Sequence, residues 1–122
     1  MKFMNDEHKQ FYKDCMLAAH ASDADVYRSS LFYTLGLSET TRRIINDLYD
    51  WKNGCIRPEG IHNPAQTGSS IKLTRLAFNL FTDCIPEDSS EAISEAYTPV
   101  SIFSCSLMSW MLEAVRIRVN GF

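Results

Sequence analysis

The stretch Leu73-Thr74-Arg75-Leu76-Ala77-Phe78-Asn79-Leu80-Phe81-Thr82-Asp83-Cys84 decides the fold class. Leu73, Leu76, Ala77, Leu80, Phe81 and Cys84 stand at i, i+3, i+4, i+7, i+8 and i+11, the repeat that gives an α-helix one apolar face. Ser69 or Ser70 is the expected N-cap, because a short hydroxyl takes an orphan amide of the first turn. Pro86 is the expected stop.

The same periodicity recurs on both sides. Toward the N-terminus, Asn5 caps a helix to about Ala19, with Asp6 and Glu7 suiting its positive end and Phe11, Tyr12, Cys15, Met16 and Ala19 on one face. Ser22 followed by Asp25 resembles a capping box for a second helix carrying Val26, Tyr27, Leu31 and Leu35, with Gly36 as a left-handed stop. Ser38 caps a third through Ile44, Ile45, Leu48, Tyr49 and Trp51, which Gly54 ends. Toward the C-terminus, Pro99 starts a short turn and Ser106 caps a last helix to about Val119. That helix is apolar on two faces, Met108, Met111, Leu112, Val115 and Val119 on one and Leu107, Trp110, Ala114 and Ile117 on the other, so a central place is expected for it. Glu87 to Tyr97 is polar, and residues 86–98 stay open between a loop and an exposed helical turn. Asn53-Gly54 and Asn120-Gly121 read as helix ends rather than hairpin turns. The expectation is an all-α, single-domain bundle of about five helices over residues 1–122, with a central C-terminal helix.

Between Lys52 and Gly68 lie Gly54, Pro58, Gly60, Pro64 and Gly68, and no periodic pattern survives such a density of breakers. This long loop, about 52–68, is the first place to look for a site, since connections of more than about 12 to 15 residues are uncommon unless functional.

The totals exclude several classes. At 122 residues and a net charge of −3, the chain is sized for one core and lacks the basic excess of a phosphate-backbone binder. The uncharged stretch around Thr98 to Leu112, which runs from Ala96 to Leu112, falls short of the about 20 apolar residues of a bilayer span, and Met1-Lys2-Phe3-Met4-Asn5-Asp6-Glu7 lacks the apolar block of a secretory signal. A cytoplasmic location with reduced thiols is expected. Cys15, Cys55, Cys84 and Cys105 are far apart, without the close pairs of a zinc site, so no metal and no cofactor is expected.

Chemistry-bearing residues are few. His8 and His20 sit at the ends of the first helix and suit structural or solvated roles, while His62 lies in the long loop. No Gly-x-Ser-x-Gly elbow or phosphate-binding loop is present, and Gly68-Ser69-Ser70 reads first as a helix start. Arg42-Arg43, Lys72 with Arg75, and Arg116 with Arg118 form basic spots that suit salt bridges or snorkelling cover.

Several strings recur together in one order: Asp25-Val26-Tyr27-Arg28-Ser29-Ser30-Leu31-Phe32-Tyr33-Thr34-Leu35-Gly36, Leu48-Tyr49-Asp50, Cys55-Ile56-Arg57-Pro58-Glu59, Gln66-Thr67 with Ser69, Arg75-Leu76-Ala77-Phe78-Asn79-Leu80, Ile102-Phe103-Ser104-Cys105-Ser106 and Glu113-Ala114-Val115-Arg116-Ile117-Arg118. Over nearly its whole length the chain resembles a family of small uncharacterised proteins, a domain of unknown function found in Firmicutes and their phages and integrative elements. The resemblance implies an accessory protein of a mobile element, a setting in which short orphan proteins are often inhibitors of host defence, including anti-CRISPR proteins. Joined to the lack of a catalytic constellation, it leads to a non-enzymatic protein-binding module whose partner, a CRISPR effector nuclease among the candidates, meets Arg57, Glu59, His62, Gln66, Thr67, Ser69 and Arg75. Two alternatives stand beside it. One is a small enzyme or ligand-binding domain built on His62, Arg57, Glu59 and Ser69. The other is a nucleic-acid-binding regulator using the basic helices. Trp51, Phe32, Tyr33 and Phe122 are either core or an exposed patch, which leaves the oligomeric state open.

Overall fold

Asn5 starts the first helix as its side chain dictates, accepting the amide of His8 at 2.8 Å, and α1 runs Asp6–Ala18. In the computed structural model, which describes residues 1–88 and 90–121, there follow α2 (Val26–Leu35), α3 (Glu39–Arg43), α4 (Ile45–Leu48), β1 (Tyr49–Asp50), β2 (Cys55–Ile56), a 3-10 helix (Pro58–His62), α5 (Gly68–Thr82), α6 (Glu91–Ala96), α7 (Pro99–Phe103) and α8 (Met108–Asn120). The chain is all-α apart from one two-stranded antiparallel ladder. Phe122 lies outside the described residues.

The middle of the fold is α2. Its residues Ser29 to Leu35 are all buried, so no face is left for water, and it packs against α1, α5 and α8. Three of those residues are polar, and the helix satisfies two internally: Ser30 Oγ donates to the Tyr27 carbonyl and Thr34 Oγ1 to that of Ser30. Phe32 and Tyr33 are core. The C-terminal helix, expected to be central, buries only Met111, Ala114 and Ile117, a set drawn from both expected faces, and leaves Met108, Leu112 and Val119 exposed. The stripe of α5 is buried as its spacing predicts at Leu73, Leu76, Ala77 and Leu80; Phe81 is half-buried, and Cys84 falls beyond the helix end and is exposed.

Several boundaries move. The cap of α2 is Asp25, accepting from the Arg28 amide, and Ser22 contributes only its carbonyl. The cap of α5 is Thr67, in a reciprocal pair with Ser70, rather than Ser69 or Ser70. That helix stops at Asp83, in the left-handed conformation, three residues before Pro86. No side chain caps α8, which starts after Leu107 and not at Ser106. The expected third helix breaks at Ile44 and ends at Leu48, because Tyr49 turns extended. Trp51 is thereby released from the helix into a turn, half-buried and stacked on Phe32 at 5.6 Å.

Asn53-Gly54 does close a hairpin, contrary to its reading as a helix end. Tyr49 pairs with Ile56 and Asp50 with Cys55, around the turn Trp51 to Gly54. Gly54 has φ +67°, which glycine adopts without steric cost. Strands of two residues carry no alternation, so the ladder leaves no period in the sequence. Residues 86–98 contain a short exposed helix, α6, whose described residues bury nothing.

Candidate functional site

The long loop is a built structure. Asp50 organises the hairpin turn, its carboxylate accepting the amides of Lys52 and Asn53 at 3.0 Å and the Asn53 side chain at 2.8 Å. These bonds, those of Asn53 first, hold its carboxyl below the ordinary 3.8. Arg28 of α2 clamps the hairpin from behind, donating to Tyr49 Oη at 3.0 Å and to the Gly54 carbonyl at 2.9 Å. Past β2, the Arg57 amide donates to the Leu48 carbonyl at 2.8 Å and delivers the chain into the 3-10 helix.

That helix lies hard against α4. A Cβ on Gly60 would sit 2.3 Å from the Asp47 carbonyl oxygen and 2.6 Å from Leu48 Cδ2, so only glycine permits the approach. Leu48 and Ile61 are fully buried beneath. Above them opens a polar cleft of about 470 Å³ lined by Asn46, Asp47, Arg57, Glu59, Gly60 and Asn63. Its two sides are joined by Asn63 Nδ2 donating to Asp47 Oδ2 at 2.9 Å. Asn46 is fixed by Trp51, whose indole N–H donates to Asn46 Oδ1 at 2.9 Å. Arg57, with its side chain 42% exposed, is only loosely held by Asp50 at 3.9 Å.

The seven residues expected at the site fall into three groups. Arg57 and Glu59 line the cleft. Gln66 and Thr67 are spent on structure: Gln66 bridges the Gly60 carbonyl, Thr74 Oγ1 and Ser70 Oγ, and Thr67 caps α5, while Ser69 is exposed in the first turn of that helix. His62 and Arg75 converge on Glu87, which sequence reasoning left in the unassigned segment. Arg75 Nε donates to Glu87 at 3.0 Å, Tyr97 Oη donates to the same carboxylate, and His62 Nε2 lies 3.4 Å away. Burial pushes the Glu87 carboxyl up, but the bonds from Arg75 and Tyr97 outweigh it and hold the group below 4.5. This clasp ties the segment before α6 to α5 and the 3-10 helix. Glu87, Asn46, Asp47 and Asn63 had no signal in the sequence, since none stands at a spacing that foretells its partner.

The basic helices are also engaged internally. Arg42 donates to the Gly36 carbonyl, Lys72 to that of Ser104, Arg116 to Glu113, and Arg118 to the Leu80 carbonyl and Asp83 while lying 3.9 Å over the Tyr27 ring. Among the described residues no group of three or more His, Cys, Asp or Glu is placed to hold a metal ion, and no helix is long and apolar enough to cross a membrane.

A family model described as a family of unknown function (DUF6075) matches residues 1–121 of the chain. No curated protein and no solved structure matches it.

Proposed function

For a chain that belongs to this family of unknown function over nearly its whole length, we propose a non-enzymatic, cytoplasmic protein-binding role, with the Arg57/Glu59 cleft as the contact surface. The observation that carries the reading is the division of the seven residues. Thr67, Gln66 and Arg75, which could have converged on a ligand, are consumed as a helix cap, an internal bridge and a clasp, and Ser69 stands apart from them in the first turn of α5. Arg57 and Glu59 instead stand at an open polar cleft whose floor is closely packed, Gly60 lying hard against Asp47 and Leu48. Arginine is among the residues that most often dominate interface energy, and a rim on a fixed scaffold orders little on binding. Its mixed donors and acceptors suit a partner surface of mixed polarity. The narrower form, an inhibitor of a host defence system such as a CRISPR effector of a Firmicute, rests on the resemblance to proteins of phages and integrative elements.

The test is affinity capture of tagged protein from lysate of a Firmicute host carrying CRISPR effectors, beside an Arg57→Ala, Glu59→Ala variant. The expected result is a defence nuclease recovered by the wild type and lost in the variant, followed by inhibition of its purified form in a cleavage assay. Recovery by both proteins moves the surface elsewhere on the molecule. Recovery by neither overturns the reading.

A further inference from the structure

Residues 1–4 lie across α1 and α2 as a strap. Among the described residues two hydrogen bonds hold it: Tyr33 Oη donates to the Lys2 carbonyl, and the Met4 amide donates to His8 Nδ1 at 3.1 Å. Between them Phe3 is seated on three rings, its centroid 5.3 Å from that of His8, 5.4 Å from Tyr12 and 5.9 Å from Tyr33. With Met1 it also walls an apolar pocket of about 480 Å³, whose other sides include Tyr12, Met16 and Leu17.

His8 is the member of this contact whose bonding capacity changes near neutral pH. Its Nε2 faces an acceptor, the Tyr33 carbonyl at 2.8 Å, so the neutral ring carries its proton there and leaves Nδ1 bare for Met4. A second proton goes on Nδ1, where it meets the Met4 N–H. Two donors then face each other, and a buried cation is left with a hydrogen bond lost. The surroundings do not offset that charge. Arg42 on α3 is positive and opposes it, as does Lys2 on the strap; Tyr33 on α2 is kept neutral by burial; Glu7 and Lys9, flanking His8 on α1, are exposed; and Glu113 on α8, behind Tyr33, is taken up by Arg116.

We infer that residues 1–4 are a proton-released strap: protonation of His8 at Nδ1 expels the Met4 amide, the strap lifts from α1 and α2, and the seat of Phe3 joins the neighbouring pocket as one open apolar surface while the bundle stays folded. Lifting four residues forfeits two hydrogen bonds and the seat of one half-buried ring, far less than unfolding the bundle to reach the same nitrogen. The packing of α2 on α5 and α8 does not pass through the strap. The sign follows from linkage. The closed strap is favoured above the ordinary 6.5 and gives way as the pH falls through a lower midpoint, displaced by one unit for each tenfold in the closing constant.

The test is NMR of the isotope-labelled full chain, titrated from about pH 7.5 to 4.5. As the His8 ring titrates, the heteronuclear NOEs of Lys2, Phe3 and Met4 should fall from the values of α1 to those of an unstructured segment. Contacts from the Phe3 ring to Tyr12 and Tyr33 should vanish together with them, while the amides of α2 and α5 keep their protection from exchange. A strap that stays ordered while the ring titrates overturns the proposal, as does a ring that has not titrated by the end of the range. Loss of α5 protection at the same midpoint also overturns it, because the proton is then taken up by general unfolding. His8→Gln, whose amide can accept from Met4 and donate to Tyr33, should keep the strap down throughout, and release in that variant at the wild-type pH assigns the event to another group. Tyr33→Phe gives an independent reading, since it removes the bond to Lys2 and leaves both bonds of His8 in place. Its midpoint should move up, by one pH unit for a tenfold weaker strap, and an unmoved midpoint overturns the coupling.

Discussion

Gly36 shows how a residue can be read correctly for the wrong reason. Its sequence position marks the end of α2, yet its φ is −76°, an ordinary helical value that any residue adopts. The requirement is space: an added Cβ would lie 2.7 Å from His8 Cδ2 and 2.9 Å from Phe11 Cδ1. Two effects of opposite sign then compete in Gly36→Ala. Reduced freedom of the unfolded chain favours alanine by about 0.4–1 kcal/mol, and overpacking opposes it by about 1–3 kcal/mol. Overpacking wins here because the neighbours are rings wedged in the core, so urea unfolding should show a net loss of about 1–2 kcal/mol. Gly68→Ala is the control, with nothing within 4 Å of its Cβ position at the start of α5. It should be neutral or stabilising by up to about 1 kcal/mol, and equal losses in the two variants would sink the steric account. Neither close approach, at Gly36 or at Gly60, could be read from the chain, because each is made by residues distant in sequence.

Among the elements, α5 was the most legible, since its stripe depends on local spacing alone and its burial follows. Its cap was not, because Thr67, Ser69 and Ser70 are chemically equivalent candidates. The choice falls on the pair that can bond reciprocally, the Ser70 amide to Thr67 Oγ1 and the Thr67 amide to Ser70 Oγ. Thr67→Ala should accordingly cost about 1 kcal/mol in thermal or denaturant unfolding, the ordinary cost of a lost cap, and Ser69→Ala should cost nothing measurable. A larger loss at Ser69 would return the cap to the position first expected. The reverse holds for α2 and α8. Three polar residues among Ser29 to Leu35 disguised the innermost helix, while the all-round apolar character of α8 suggested the middle of the fold for a helix with one face outside. Composition reports what a helix can bury; which helix is enclosed depends on how many neighbours reach it. The hairpin and the Glu87 clasp were illegible for a related reason, since two-residue strands have no period and a lone carboxylate gives no hint of its arginine.

At the scale of the whole molecule, stability should fall as pH falls, and His8 and Glu87 are the two partly or fully buried groups that mark where. His8 is fully buried beneath the N-terminal segment, with Nδ1 accepting the Met4 amide at 3.1 Å and Nε2 2.8 Å from the Tyr33 carbonyl. The first bond requires a bare Nδ1, so the ring is neutral with its proton on Nε2, which donates to Tyr33. Burial, the largest influence, holds its pKa below the ordinary 6.5. Below that ordinary value the unfolded chain takes up a proton that the folded one refuses, so this contribution is whole above pH 6.5 and declines as the pH drops toward the lowered folded value. The slope cannot exceed about 1.4 kcal/mol per pH unit for one proton. Glu87 acts lower, and in the same direction. Its folded carboxyl titrates below 4.5, so the stability it supplies is present above that value and is lost as the pH falls through the folded pKa. Urea unfolding from pH 8 to 3 should therefore show a plateau above about pH 7, a first decline below 6.5 and a second below 4.5. In His8→Gln, whose amide can both accept from Met4 and donate to Tyr33, the plateau is lower but the first decline is gone. Glu87→Gln keeps the first and weakens the second, the rest of which comes from carboxylates such as Asp50 that the fold also holds low. Wild-type stability that is equal at pH 7.5 and 5 would mean that His8 takes its proton inside the fold, and the neutral ring deduced from its two hydrogen bonds would have to be given up.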